Sequence, residues 1–506
     1  MINFRTKKLA IYTNELFQLF TQKNKMNSIE TPTKKPEVKP IQEGTGIHID
    51  CVPYVEDFIA TVPHWEIPES GIVSKGKWTI KNVLDDPIGR FRPIQAFVAL
   101  TDQVATDDSS AIDGGLEVCP GFSRFFLNYY NKHPDQHHGN QHFPSTSTKC
   151  MKKYDPVIYE GIQKIGRIPK DWNPDDYKNR IEDPSQLNFE ETVKVIGEIS
   201  KEHKKLKLEP YKSGDYILWF ETTPHQNGKK NEATLRRVFY HSYLAPVKNR
   251  KINQKIFEHQ KRGLETQTRP MGVKSKFQKL EQNLMIGGKK GGVIDKGMEF
   301  LYEPTKENQF NLEKKVLNDR QIKFLDRYGY LVVENVYPMK EVDQLNLEMD
   351  EAITKLSGIY KPIKNHNNLF KELREQTPIE WDDYMFDPDQ WRMLAGKFGG
   401  VLDIFYLPTM MKMRQSESTF KIVSEITEHF WCSNESPLSF KNEIEFNNLK
   451  VYLDRVNNRF PTRLVDLIKS KEKKKVDVDW KANCLKESKK RKIGTNCNEP
   501  ENKKHK

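Results

Sequence analysis

The chain has 506 residues and a net charge of +12, from 82 Lys and Arg against 70 Asp and Glu. Aromatic residues make up 11% of it, enough to seed a sizeable core, which excludes disorder along the whole length. No run reaches the roughly 18 consecutive apolar residues of a membrane span, so we expect no membrane partner. The six Cys form no CxxC pair, as is typical of a reducing compartment. We therefore expect a cytoplasmic location, with the nucleus as the second candidate.

The positive charge is concentrated in two stretches without the pattern of a folded domain. Residues 247–296 carry a net charge of +9 and residues 465–506 a net charge of +7, so the remainder is net negative. The first stretch lies in a predicted basic linker, 247–309, and the second in a predicted basic disordered tail, 464–506. The tail could contact a polyanion such as nucleic acid, or it could be a solvated extension. Both interpretations stay open.

Residues 1–43 are predicted to form an N-terminal helix and a linker. The first folded region, 44–246, contains short runs rich in β-branched and aromatic residues, separated by Gly and Asp. The predicted strands are Ile47–Val52, Ile94–Leu100, Gly115–Val118, Tyr216–Phe220 and Arg237–Leu244. This spacing predicts a mainly β fold with flanking helices, an antiparallel sandwich or barrel, and argues against βαβ units.

The second folded region, 310–463, begins with a helix and a strand. Its predicted elements are the helix Asp319–Tyr328, the strand Tyr330–Val333, the helix Glu341–Leu356, the helix Thr419–Phe430 and the strand Leu449–Leu453. Gly329 is expected to end the first helix. No nucleotide-binding glycine pattern occurs in either region.

The triplet His48-Ile49-Asp50 lies in a predicted strand. Because side chains alternate along a strand, His48 and Asp50 project from the same face. An imidazole and a carboxylate, with one more His, make a facial metal triad that leaves coordination positions open. The triplet alone is weak evidence, since one such match is expected by chance in a chain with 13 His.

Two similar triplets serve as controls. His133-Pro134-Asp135 and His64-Trp65-Glu66 both lie beside Pro in loop-like sequence, so both rank below the triplet at His48. The polar stretch that begins at His133 contains further histidines, namely His137, His138 and His142. Their irregular spacing indicates a solvated insert rather than a metal site.

Further features follow along the chain. A Gly214-Asp215 turn leads into the strand Tyr216–Phe220, His225 follows that strand, and Arg236 lies eleven positions later. Upstream, the strand containing Gln95 precedes the run Gly114-Gly115-Leu116-Glu117-Val118-Cys119-Pro120-Gly121-Phe122. Together with the triplet at His48, this pattern resembles the phytanoyl-CoA dioxygenase family of iron(II)/2-oxoglutarate oxygenases, which fold as a jelly roll (double-stranded β-helix).

The resemblance implies a role for each matching residue. His48, Asp50 and His225 would bind Fe(II), and Arg236 would bind the distal carboxylate of 2-oxoglutarate, the cosubstrate used with O2. Gln95 matches a strand position that often faces the cosubstrate. The expected reaction yields succinate and carbon dioxide and hydroxylates a small organic or acyl substrate.

Four further residues bear on this comparison. The carboxylate of Asp50 indicates hydroxylation, because halogenating relatives carry a small residue there. Ser123 departs from the family, whose members usually have a His after the Pro-Gly turn. Asp215 alone is expected to stabilise its own turn, and Arg237, next to Arg236, is expected to be a surface cation.

The order of the family's segments is exchanged in this chain. Gly329-Tyr330-Leu331-Val332-Val333-Glu334-Asn335-Val336 and the run Leu453–Pro461 resemble segments that ordinarily precede the HxD triplet, but here they follow it. The economical hypothesis is a circular permutation, in which one jelly roll is built from 44–246 and 310–463. A swapped dimer and two incomplete domains are the rival hypotheses, so the oligomeric state stays open. The alternative functions are an inactive jelly-roll binding protein and a polyanion- or nucleic-acid-associated protein that acts through its tail.

Overall fold

The structure is a computed structural model. It describes residues 46–49, 94–103, 115–134, 152–153, 155–176, 184–228, 235–244, 315–357, 400–402, 404–405, 407–432 and 449–459. The predicted N-terminal helix, basic linker and basic tail lie outside these residues, and so do Asp50, Asp135, the triplet at His64, and His137, His138 and His142. In the described part of the chain, no helix has both the length and the apolar composition to cross a membrane.

Two antiparallel sheets make up the β structure of the described residues. The strands are β1 (Ile94–Ala99), β2 (Leu116–Val118), β3 (Gln163–Lys164), β4 (Tyr216–Phe220), β5 (His225–Asn227), β6 (Arg236–Leu244), β7 (Tyr330–Val333), β8 (Val401–Leu402) and β9 (Lys450–Arg459). The large sheet has the order β7-β4-β1-β6-β9-β8 and the small sheet the order β3-β2-β5. The predicted mainly β class with flanking helices is confirmed at this level.

Strands from both folded regions share the large sheet. β7 pairs with β4, with Tyr330 opposite Trp219, and β9 pairs with β6, with Arg459 opposite Arg236. β7 and β9 come from 310–463, whereas their partners β4 and β6 come from 44–246. Each region therefore supplies strands that pair with strands of the other. Without that pairing, backbone N–H and C=O groups of both regions would lack hydrogen-bond partners.

The helices flank these sheets. They are α1 (Phe122–Lys132), α2 (Pro156–Gly161), α3 (Phe189–His203), α4 (Asp319–Tyr328), α5 (Met339–Ser357), α6 (Pro408–Arg414) and α7 (Glu417–Thr427). The prediction that 44–246 consists mostly of strands missed the helices α1 and α3. The signal for α3 was present in the sequence, since Asn188 and Glu191 form a capping box at its start.

The other predicted elements differ from the structure mainly at their ends. Of the predicted strand Ile47–Val52, the described residues show one bridge at His48. The strand predicted at Leu449–Leu453 continues to Arg459 as β9. A π-helical turn, Glu428–Cys432, follows α7 and extends two residues beyond the predicted helix Thr419–Phe430.

The two faces of the large sheet have different neighbours. Phe97, Trp219 and Tyr240 lie on one face, which we call the inner face; Trp219 contacts His225 of the small sheet, with ring centroids 5.2 Å apart. The other, outer face packs on the helices, where Arg237 pairs with Asp350 of α5.

The expectation that Arg237 is a surface cation is wrong. Its side chain is completely buried rather than on the surface, and it donates from Nε to Asn458 Oδ1 at 2.6 Å and from Nη2 to Asp350. The prediction failed because neighbouring residues of a strand point to opposite faces, and α5 covers the face of Arg237. Burial of this cation is compensated by an ion pair.

His133 and Asp215 also differ from their predicted roles. His133 is buried, with Nε2 3.3 Å from Asp155 Oδ1, so its assignment to a solvated insert is wrong. Asp215 does accept from a backbone N–H of its own turn, that of Lys212, but it also accepts a bidentate pair from Arg167 and the backbone N–H of Asn335. It thus links the two folded regions as well as its turn.

Candidate metal centre

His48 and His225 lie side by side although they are far apart in sequence. An antiparallel bridge joins them, with His48 N–H donating to His225 O at 3.0 Å and His225 N–H donating to His48 O at 2.9 Å. Their ring centroids are 4.3 Å apart, at an interplanar angle of 51°. The structure therefore brings together two of the three predicted metal ligands.

Backbone carbonyls determine which nitrogen of each ring carries the proton. His48 Nδ1 lies 2.7 Å from Gly46 O, and His225 Nδ1 lies 2.9 Å from Thr223 O. A carbonyl only accepts, so Nδ1 is protonated in both rings and the lone pair is on Nε2. This tautomer, held by a second partner, is the form in which imidazole binds a metal ion.

A tight turn after β4 presents His225. Thr223 N–H donates to Phe220 O at 2.8 Å, and the Thr223 hydroxyl donates to Gly329 O at 3.1 Å. Pro224 then leads into β5, where His225 lies opposite Val118. The His225 side chain is only 5% exposed, so its ring is shielded from bulk water.

The third predicted ligand, Asp50, lies outside the described residues. Among the residues that the structure does describe, no group of three or more His, Cys, Asp or Glu side chains is placed to hold a metal ion. Of the three predicted ligands, the structure therefore tests only His48 and His225. The positions and tautomers of these two residues fit a metal site.

Arg236 begins β6 and projects from the inner face. Its side chain is 5% exposed, and its guanidinium carbon lies 5.1 Å from the centre of the Phe97 ring. Nη1 donates to Asn457 Oδ1 at 3.2 Å, while Nε and Nη2 are buried without a hydrogen-bond partner. This edge of a permanently charged group has no carboxylate partner among the described residues, and only the hydroxyls of Tyr211 and Tyr240 approach the guanidinium, so the edge is suited to an anionic ligand.

Two tyrosine hydroxyls lie close to this guanidinium. Burial raises the pKa of Tyr211, and the neighbouring Arg236 lowers it in part. The pKa of Tyr240 is raised by burial in the same way and lowered in part by Arg236. Both hydroxyls are neutral at physiological pH as a result, and a neutral hydroxyl does not neutralise the cation.

Gln95 and Trp219 complete the inner face near His225. They lie opposite each other in β1 and β4, so their side chains share that face. Gln95 is 8% exposed, and the Trp219 indole Nε1 is buried without a hydrogen-bond partner. Phe97 packs between them and Arg236, with its ring 5.8 Å from that of Trp219. Gln95 therefore lies on the same face of the sheet as Trp219 and Phe97.

The sequence did not identify every residue at this site. Tyr211, Trp219, Tyr240 and Asn457 lie near the predicted residues, and strand register brings the last three of them there. Tyr211 and Asn457 each lie in a run that the sequence pattern singled out, 211–215 and 453–461, but neither was assigned to the site. Comparison of the chain with protein-family models, with curated proteins and with solved structures finds no match.

Proposed function

We propose that the protein is an Fe(II)- and 2-oxoglutarate-dependent oxygenase that hydroxylates a small organic or acyl substrate. The observation that carries this proposal is the buried edge of Arg236, where Nε and Nη2 have no hydrogen-bond partner. Such an edge binds a carboxylate through two parallel hydrogen bonds. The distal carboxylate of 2-oxoglutarate is the group that we assign to it.

The same edge binds carboxylates elsewhere in this chain. Arg167 donates from Nε to Asp215 Oδ2 and from Nη2 to Asp215 Oδ1, each at 2.8 Å. Arg327 uses its Nε and Nη2 in the same way on Glu202. Arg236 has the same buried edge but no carboxylate partner among the described residues, which supports a carboxylate ligand.

The metal would be held at the other end of the inner face. His48 and His225 have the tautomer of metal-binding imidazoles, and Asp50 would supply the carboxylate of the triad. When bound, the iron and 2-oxoglutarate supply the oxidising chemistry. The chain's own task is to orient the dicarboxylate between His225 and Arg236 and, through Phe97 and Trp219, to exclude water.

The fold supports one domain built from exchanged halves. We propose a jelly roll that is circularly permuted, because β7 and β9 of the second region lie beside β4 and β6 of the first in one sheet. A distant position of Tyr330–Val333 would have argued against this arrangement. The swapped dimer remains its rival, and the mass of the protein in solution distinguishes the two.

Succinate formation tests the function. The purified protein is incubated with Fe(II), ascorbate, O2 and 2-oxoglutarate, and succinate is measured by mass spectrometry. We expect succinate from the unmodified protein even without a primary substrate, at a low rate, and none from Asp50→Ala or Arg236→Met. Asp175→Asn is the matched control, since that side chain is 82% exposed.

Three results would contradict the proposal. Absence of succinate together with absence of 2-oxoglutarate binding would exclude the oxygenase. Binding without turnover, under conditions where a known oxygenase of this class is active, would favour the inactive binding protein instead. Succinate formation that survives Arg236→Met would show that the guanidinium has another ligand.

A further inference from the structure

We infer that Asn457 is a positioning residue, which orients the guanidinium of Arg236 for the distal carboxylate of the cosubstrate. This inference rests on the proposed function and extends it to a residue of the second folded region. Asn457 lies on β9 and its side chain is completely buried. The contact that carries the inference is its hydrogen bond with Arg236.

The strand register brings the two side chains together. Arg236 lies opposite Arg459, and Val238 lies opposite Asn457, so Arg236 and Asn457 are diagonal neighbours on the inner face. Their contact is the 3.2 Å hydrogen bond from Arg236 Nη1 to Asn457 Oδ1. A guanidinium has only donors, so the amide oxygen must face it.

Besides the hydroxyls of Tyr211 and Tyr240, two contacts bear on the orientation of the guanidinium. The Phe97 ring lies 5.1 Å from its central carbon, and Asn457 binds its Nη1 end. The edge formed by Nε and Nη2 is then the one directed away from Asn457. Removal of the amide would allow the group to rotate and would weaken the two parallel hydrogen bonds to a carboxylate.

Comparison with the neighbouring Arg237 indicates why the partner of Arg236 is a neutral amide and not a carboxylate. Arg237 has the same kind of partner on β9, Asn458, but it also pairs with the carboxylate of Asp350. Arg236 has the amide of Asn457 without a carboxylate among the described residues. A neutral acceptor orients the cation while its charge stays available to a ligand, whereas an Asp at 457 would neutralise it.

The experiment compares two keto acids by calorimetry on the Fe(II)-loaded full-length protein without oxygen. The probes are 2-oxoglutarate and 2-oxovalerate, which has the same keto-acid end but no distal carboxylate. We expect Asn457→Leu to weaken 2-oxoglutarate binding about tenfold, and Asn457→Asp to weaken it further, toward the affinity of 2-oxovalerate. The Kd of 2-oxovalerate should stay the same in both variants.

Turnover provides a second measurement. In Asn457→Leu the KM for 2-oxoglutarate should rise while kcat at saturating 2-oxoglutarate is retained, because the bound geometry at the metal is unchanged. Asn457→Gln, which keeps an amide oxygen, should recover part of the affinity. Should the Leu variant not fold, Asn457→Asp still tests the inference, since it keeps the shape of the side chain.

The outcomes separate this inference from the proposed function. If the unmodified protein binds both keto acids equally, then the proposed function fails at its carboxylate site. If it prefers 2-oxoglutarate and Asn457→Asp has the same preference, then only the role of Asn457 is overturned. A parallel loss of affinity for both keto acids would show a structural role for Asn457 and would also overturn the inference.

Discussion

His203 Nε2 accepts a hydrogen bond from the Tyr330 hydroxyl at 2.8 Å, and this bond joins α3 of the first folded region to β7 of the second. The other ring nitrogen, Nδ1, donates to Gln163 Oε1 at 2.9 Å. His203 is therefore neutral, and both of its nitrogens are satisfied within the core. A proton on Nε2 would leave a buried imidazolium, which burial disfavours.

Acidification should therefore destabilise the protein. Burial lowers the pKa of His203 to about 3, whereas an unfolded His titrates near 6.5. Below pH 6.5 the unfolded state binds the additional proton, so the free energy of unfolding falls as the pH decreases toward 3. The loss from this one group reaches ~2 kcal/mol at pH 5. Burial also lowers the pKa of His241, which adds to the loss in the same direction.

Urea denaturation at pH 7 and pH 5 measures this effect. We expect His203→Gln to be less stable than the unmodified protein at pH 7, but to lose ~2 kcal/mol less between pH 7 and pH 5. His429→Gln is the matched control, because that His is exposed, and it should leave the pH dependence unchanged. Equal pH dependence in all three proteins would contradict the prediction.

The buried pair of Arg237 and Asp350 should be essential for stability. Arg237→Leu would leave the carboxylate of Asp350 buried without its cation, and we expect a loss of ~3–5 kcal/mol in the free energy of unfolding. Lys412→Met removes a pair with Glu341 in which the Lys side chain is 72% exposed, so it should cost less than ~1 kcal/mol. Similar losses in the two variants would show that burial does not determine the strength of the first pair.

Gly329 is expected to tolerate no side chain. It ends α4 with φ of 77°, and an added Cβ would clash with Ser123 Oγ and lie 2.9 Å from Thr223 Oγ1. We expect Gly329→Ala to cost ~2 kcal/mol or more, since strain and overpacking add. The variant should also weaken metal binding, because Thr223 positions His225.

Two further variants make this test specific. Ser123→Ala in the Gly329→Ala background should recover part of the stability by removing one clash. Gly197→Ala, in α3, has no atom within 4 Å of the new Cβ and should stabilise by up to ~1 kcal/mol. A destabilised Gly197→Ala would show that the effect at Gly329 is not specific to its conformation and contacts.

The basic tail should not be required for 2-oxoglutarate binding. Truncation after residue 463 is expected to abolish any salt-sensitive binding to heparin or nucleic acid and to leave the Kd of 2-oxoglutarate unchanged, because β9 ends at Arg459. Filter binding at two salt concentrations and calorimetry measure the two quantities. Loss of 2-oxoglutarate binding on truncation would assign the tail to the site.

Short sequence patterns predicted many of the features that interactions between residues close in sequence determine. Gly329 ends α4 as expected, and Tyr330–Val333 follows it as a strand. His48, His225 and Arg236 were candidates because their residue types and spacing suggested a common chemistry. The structure places the two histidines against each other and directs Arg236 to the same inner face of the large sheet as Trp219.

Contacts between distant parts of the chain determined the features that the sequence patterns did not predict. Arg237 looked exposed beside Arg236, but α5, from a distant part of the chain, covers it. The sequence by itself determined which residue types could bind a metal and a dicarboxylate. Only the tertiary structure decided that Asn457 meets Arg236, because strand pairing depends on the burial of a whole sheet face and not on the residues around either position.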